Sequence, residues 1–343
     1  MIKFGIFDQN DRGGLPLAQQ YDERLKLAEL YDESGFYCYH MSEHHGTSLS
    51  MAPSPSVFMS ALTQRTQNLR LCPLVYLLPL YHPVRLAEEI CMLDHLSKGR
   101  FEFGVGRGAS PFELAALGVE PEHAAKMYAE ALAVIRTYFK SDSLTHDGEF
   151  WKVKDFAVEV KPVQQPHPQI WYAVGSPDSV AWPAQNNINI VCGGPVSNLR
   201  SISDGYRAAW KKLDVAGRTE PLIGINRYVV VADTDEKARE IGRKAWPTFH
   251  KSFMKLWVKN NAQPNRMKLP PDFDSLLEGG QAVAGSPETV ASALADQISR
   301  GGFNYFIGGF VFGSMPFADA SASIRLFSGE VMPALEAIES VAA

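Results

Sequence analysis

The chain has 343 residues, of which 45% are hydrophobic and 21% charged, with a formal net charge of −5. This is the balance of a globular protein with a large core, and it excludes a disordered or fibrous chain. It supplies no basic field for nucleic acid or an anionic membrane, and the four scattered cysteines, Cys38, Cys72, Cys91 and Cys192, contain no C-x-x-C pair that would point to a disulfide framework or a zinc ribbon.

The N-terminal residues Met1 to Asp8 lack a long apolar signal core, and no apolar run of about 18 residues occurs. A soluble, cytoplasmic protein that uses neither membrane nor nucleic acid is expected. Short β-branched or aromatic runs predict strands over residues 2–7, 36–41, 69–77, 101–105, 169–174, 188–191, 222–231 and 304–307. Segments of helical period predict helices over 16–34, 53–64, 83–95, 122–139, 177–186, 197–213, 235–253 and 317–335. The alternation predicts an α/β protein, a single (β/α)8 TIM barrel domain over residues 1–343. Two departures interrupt the repeat. Residues 145–160 alternate with period two around Asp147-Gly148, which predicts an inserted β-hairpin. Residues 254–285, with Pro270-Pro271 and Gly279-Gly280, predict a long loop before the last strand, preceded only by an extra helix from Pro287.

Glu43-His44-His45 follows the second predicted strand, which places it at the C-terminal mouth of the barrel, where such folds carry their active sites. A histidine can move a proton near neutrality, and an adjacent carboxylate can fix its tautomer. The plainer reading is a loop with two solvated histidines. No third ligand accompanies them, so no metal site is expected. After the fourth strand, Gly106-Arg107-Gly108 offers backbone N–H groups and one guanidinium, a combination that suits an anion. Its glycines match neither a dinucleotide fingerprint nor a P-loop. Gly175-Ser176-Pro177-Asp178-Ser179 reads as a helix start, either an ordinary cap or a phosphate site. Gly285-Ser286-Pro287 repeats the wording and is read as structural. Trp171, Tyr172 and Trp182 are read as core or rim packing.

The chain resembles the bacterial-luciferase-like flavin-dependent monooxygenases. The resemblance rests on Glu43-His44-His45, Leu78-Pro79 with His82-Pro83-Val84-Arg85, Leu93-Asp94 with Leu96-Ser97-Lys98-Gly99-Arg100-Phe101, Phe103-Gly104 with Arg107-Gly108, and Val331-Met332-Pro333. It implies a TIM barrel that uses reduced FMN and dioxygen, through a peroxyflavin intermediate, to oxidise a small organic substrate. It further implies a separate flavin reductase and a homodimer built on helices of the second and third βα units. By the same resemblance His44 is the base, with Glu43 or His45 orienting it. Arg107, Gly175, Ser176 and Ser179 hold the flavin phosphate, and a cis peptide at Leu74-Val75 lies behind the flavin ring. Luciferase's light-emitting subunit has a reactive cysteine where this chain has Gly106, so light emission and an aldehyde substrate are not expected. Two other readings stay open: a flavin-binding protein without turnover, and a deazaflavin-dependent hydride-transfer enzyme on the same fold.

Overall fold

The computed structural model describes residues 2–213, 219–264 and 268–342. Its first strand, β1 (Lys3–Asp8), is buried along most of its length and is flanked in parallel by β2 (Cys38–Met41) and β12 (Tyr305–Gly309). From there parallel pairing runs one way to β3 (Arg70–Pro73). The other way it runs through β10 (Ile223–Val231), β9 (Asn189–Cys192), β8 (Ile170–Ala173) and β5 (Phe103–Gly106) to β4 (Tyr76–Leu77). The strands β3 and β4 are two halves of the single strand expected over 69–77, and a parallel bridge from Leu71 to Phe101 joins the lower half to the start of the next strand. Counting β3 and β4 as one, eight parallel strands among the described residues close the barrel.

Helices cover the outside: α1 (Leu17–Glu33), α2 (Pro55–Thr63), α3 (Pro83–Leu96), α4 (Pro111–Ala116), α5 (Ala124–Tyr138), α6 (Ala181–Gln185) and α7 (Val196–Trp210). Three of these start with proline, whose missing N–H costs nothing in the first turn. The hairpin expected after α5 is present as β6 (Ser143–Asp147) and β7 (Lys152–Ala157).

The run at 93–101 has a structural use. Lys98 and Gly99 take positive φ, 56° and 80°, which reverses the chain after α3. Arg100 then donates to the carbonyls of Thr63 and Thr66 at 3.3 and 3.0 Å, satisfying acceptors left open beyond α2. Buried Asp94 accepts the backbone and side-chain N–H groups of Gln164 at 2.9 and 2.7 Å. These contacts seal the N-terminal end of the barrel, away from the mouth.

Regular structure interrupts the expected long loop over 254–285, of which 260–264 and 268–272 remain without a regular element and 265–267 lie outside the described residues. Helix α8 (Asp235–Lys259) runs six residues past the predicted end at 253, and α9 (Phe273–Glu278), β11 (Ala282–Gly285) and α10 (Pro287–Gly301) follow. Thr234 accepts the Lys237 N–H at 3.3 Å as the N-cap of α8. Asp235 and Glu236 stand in its first turn and Lys259 in its last, matching the helix dipole. Pro247 lies inside this helix. A clamp of Tyr228, Trp246, Phe249, Phe273 and Phe312, with ring centroids 4.8–6.5 Å apart, fixes it against the barrel. Gly313 lies close against this helix, since a Cβ there would stand 2.0 Å from the Ala245 carbonyl oxygen. The C-terminal helix expected over 317–335 is resolved into α11 (Phe317–Leu326), a π turn over Phe327–Val331, and α12 (Met332–Ala342).

The barrel interior is packed rather than open. His40 Nε2 lies 2.8 Å from the Tyr305 hydroxyl, with Trp171 edge-on to the imidazole at 4.8 Å. Burial pushes the His40 pKa down to about 3, so it is neutral at any working pH. Higher up, a Cβ on Gly104 would meet the Pro73 carbonyl oxygen at 2.6 Å. Gly104→Ala is therefore expected to lower stability by about 2–3 kcal/mol, seen as a fall in the urea midpoint at unchanged slope. An unchanged midpoint would show that β3 yields at this point.

Candidate active site

The mouth is assembled from the loops after β1, β2 and β5, with α8 as a roof. His44 and Arg107 both line one cavity of about 340 Å³, together with Gln9, Glu113, Phe253 and Trp257. Thr47, two residues past His45, donates to the Ser252 carbonyl at 3.3 Å and ties the β2 loop to α8.

The two histidines have different partners. His44 Nδ1 lies 3.1 Å from Glu113 Oε1, and the same oxygen accepts the His45 backbone N–H at 3.1 Å. His45 Nε2 lies 2.8 Å from Glu43 Oε1, while Glu43 Oε2 accepts the Leu77 N–H at 3.1 Å. Glu43 thus orients His45 and pins the β2 loop to β4. The carboxylate on His44 is Glu113, and neither Glu43 nor His45 takes the place expected beside it. With Nδ1–H committed to a carboxylate 2% exposed, His44 presents Nε2 as its free nitrogen.

Glu113 is the residue the sequence reading missed. Ser110-Pro111-Phe112-Glu113 has the wording of a capping box, in which serine and glutamate cap the helix reciprocally. In the structure Ser110 makes no side-chain cap bond, its hydroxyl has no partner, and Glu113 turns to the histidines instead. A capping-box glutamate close to a strand end that faces a histidine pair was the available signal.

The Glu43 hydrogen bond, outweighing the effect of burial, raises the His45 pKa above its ordinary 6.5. A raised histidine pKa contributes stability that is fully present below the unfolded value and is lost as pH rises through the folded one. Glu43→Gln is therefore expected to lower the melting temperature more at about pH 5.5 than at about pH 9. Equal losses at both would mean the pair does not titrate as drawn.

Arg107 follows β5 and carries no carboxylate partner among the described residues. Near it stands Tyr128 of α5, whose buried hydroxyl is also unpartnered. An unpaired guanidinium at the cavity wall fits an anionic oxygen group such as a phosphate, while the Tyr128 hydroxyl is covered and does not line the cavity. Gly175, Ser176 and Ser179 lie past the end of β8, which pairs with β5, so the topology sets them at the same side of the mouth. The helix expected over 177–186 is instead a single 3-10 turn, Pro177–Ser179, followed by the five-residue α6. Ser176 makes no side-chain cap bond, and Ser179 Oγ donates to the Ser176 carbonyl at 2.6 Å. By contrast Ser286 does cap α10, accepting the Thr289 N–H at 3.3 Å.

The Leu74–Val75 peptide is cis. Val75 packs on β5 so closely that a Cβ at Gly106 would lie 2.4 Å from its Cγ2. This accounts for glycine at 106 in this chain. Trp171 is fully buried in the barrel, while Tyr172 and Trp182 meet edge-on at 5.4 Å beside the mouth. Among the described residues no three His, Cys, Asp or Glu side chains are grouped to hold a metal ion, and no helix is long and apolar enough to cross a membrane.

A parallel eight-stranded barrel with a carboxylate-held histidine, an unpaired arginine and a helical roof at its C-terminal mouth defines a TIM-barrel enzyme. The family model for luciferase-like monooxygenases matches residues 2–305. The chain belongs to that family. It is 39% identical over 331 residues to an uncharacterised protein of Sinorhizobium fredii, covering 96% of each chain. It is 28% identical to the oxygenase component of a flavin-dependent trigonelline monooxygenase of Acinetobacter baylyi, covering 97% of this chain and 95% of that one. The crystal structure of the monooxygenase RslO1 of Streptomyces bottropensis superposes with a TM-score of 0.86 at 25% identity, over 97% of this chain and 99% of that one.

Proposed function

We propose that this chain is the oxygenase of a two-component FMN-dependent monooxygenase, a cytoplasmic protein that receives reduced FMN from a separate reductase and oxidises a small organic molecule with dioxygen. The observation that carries the reading is the His44–Glu113 pair sharing one cavity with the unpaired Arg107. The oxygenase component among the similar proteins supports a separate reductase.

Reduced FMN, when bound, supplies the electrons that activate dioxygen. The protein's part is binding, orientation and exclusion of water. Arg107 would hold the phosphate, with Gly175, Ser176 and Ser179 completing the rim. Leu74 and Val75 would back the ring. Glu113 fixes the His44 tautomer with the proton on Nδ1, so that Nε2 takes or returns a proton at the reacting oxygen. Phe253, Leu256 and Trp257 on α8 keep the chamber dry, which protects a reactive oxygen species from water. Glu43 and His45 brace the loop that carries His44.

A homodimer is part of the proposal. Val57 on α2 and Met92 and Leu96 on α3 are 72%, 54% and 43% exposed, an apolar set on adjacent helices that a second copy would cover. The cofactor assignment is tested by anaerobic titration with reduced FMN and with reduced riboflavin. Binding of FMN well ahead of riboflavin is expected, because the phosphate has its own site; equal binding, or none, would overturn it.

A further inference from the structure

Of the residues assigned to the flavin, only Arg107 lines the cavity beneath α8; Leu74, Val75, Gly175, Ser176 and Ser179 do not. Most of the chamber's lining therefore lies outside the residues assigned to the flavin. Its size, about 340 Å³, is at the low end for small-molecule sites. Its upper wall is Phe253, Leu256 and Trp257, with the Trp257 indole set edge-on to Phe112 at 5.4 Å and 78°.

The polar groups of the lining can be followed one by one. Glu113 is committed to His44 and His45, and the Thr47 hydroxyl to the Ser252 carbonyl. The Ser110 hydroxyl is unpartnered but fully covered. Among the described lining residues the ionisable side chains are His44, Arg107 and Glu113 alone, so no carboxylate is free for a cation. Arg107 is taken by the phosphate in the reading above. An ion placed here without a partner would lose its hydration uncompensated. One group remains. Gln9, just past β1 and 8% exposed, accepts a hydrogen bond from Ser42 on its carbonyl oxygen, which leaves its amide N–H₂ with no partner among the described residues.

We infer that the chamber takes a neutral, ring-sized apolar molecule bearing one hydrogen-bond acceptor, which Gln9 Nε2 binds while Trp257 and Phe253 cover the apolar body. The inference rests on the flavin reading, because that reading assigns Arg107. A site built to donate to an acceptor discriminates strongly against the analogue lacking it, whereas apolar walls alone do not.

The test is calorimetry, under anaerobic conditions, of the protein loaded with reduced FMN. Four probes of matched shape are used: cyclohexyl methyl ketone, ethylcyclohexane, cyclohexanecarboxylate and cyclohexylmethylammonium. The ketone is expected to bind at least about tenfold more tightly than the hydrocarbon, with no detectable binding of either ion. Gln9→Leu is expected to abolish the difference between ketone and hydrocarbon, and Trp257→Ala to weaken both. Equal binding of ketone and hydrocarbon by the unaltered protein, preference for either ion, or no binding of any probe overturns the inference while leaving the flavin reading in place. Failure to load reduced FMN overturns the flavin reading itself. The comparison among probes on the unaltered protein decides the matter even where a variant fails to fold.

Discussion

Substituting His44 by alanine is expected to lower turnover by about two to four orders of magnitude while FMN affinity stays within about threefold. The imidazole lines the cavity, and its Nδ1 is held 3.1 Å from Glu113 Oε1, which leaves Nε2 as its free nitrogen. Among the described lining residues no other base is free, because Glu113 is committed to His44 and His45, and His45 is turned to Glu43. Glu113→Gln is expected to fall between the variant and the unaltered protein, about 10–100-fold down. A glutamine still accepts from Nδ1–H but no longer stabilises the imidazolium. The check is steady-state oxygenation with FMN binding measured in parallel. Unaltered turnover in the His44 variant removes the assignment. A loss of FMN binding that equals the loss of turnover would make His44 a binding residue instead.

Arg107→Met is expected to weaken FMN by about 100-fold while leaving riboflavin unchanged. Charge-assisted bonds from a guanidinium to a phosphate are the strong ones, and here nothing else neutralises the charge: Arg107 has no acidic partner among the described residues. Tyr128→Phe removes a covered hydroxyl and is expected to leave FMN affinity within about threefold. Fluorescence titration of both flavins against both variants reads the difference. A parallel loss for FMN and riboflavin would place Arg107 against the ring system and not the phosphate.

The barrel was legible because its strands are buried on both faces and so read as short apolar runs between helical segments. The hairpin and the Ser286 cap were legible for local reasons, Asp147-Gly148 and the proline at 287. The candidate site was legible only in part. His44, His45 and Arg107 stand directly after strands, where position alone points to function. Glu113 lies 69 residues from His44 on a six-residue helix, and its local wording is already explained by capping. Gln9 gave no signal at all, since its importance comes from the side chain that Ser42 leaves half satisfied. The segment 254–285 was misread in part because α9 and β11 are six and four residues long, α9 lying between the Pro270-Pro271 and Gly279-Gly280 pairs that punctuate loops and β11 directly after the second. They hold their form through packing on α8 and β10, a tertiary effect outside any local window.

The most direct measurement mixes the protein, preloaded anaerobically with reduced FMN, with oxygenated buffer containing a neutral apolar probe, and follows isotopically labelled dioxygen into product. The account predicts one labelled oxygen atom in the organic product, at a rate that falls with His44→Ala. Oxygen reduced only to peroxide, with no label in product for any bound probe, would mark a flavin-binding protein without turnover. Hydride transfer from a reduced deazaflavin, with no reaction of reduced FMN, would contradict the account outright.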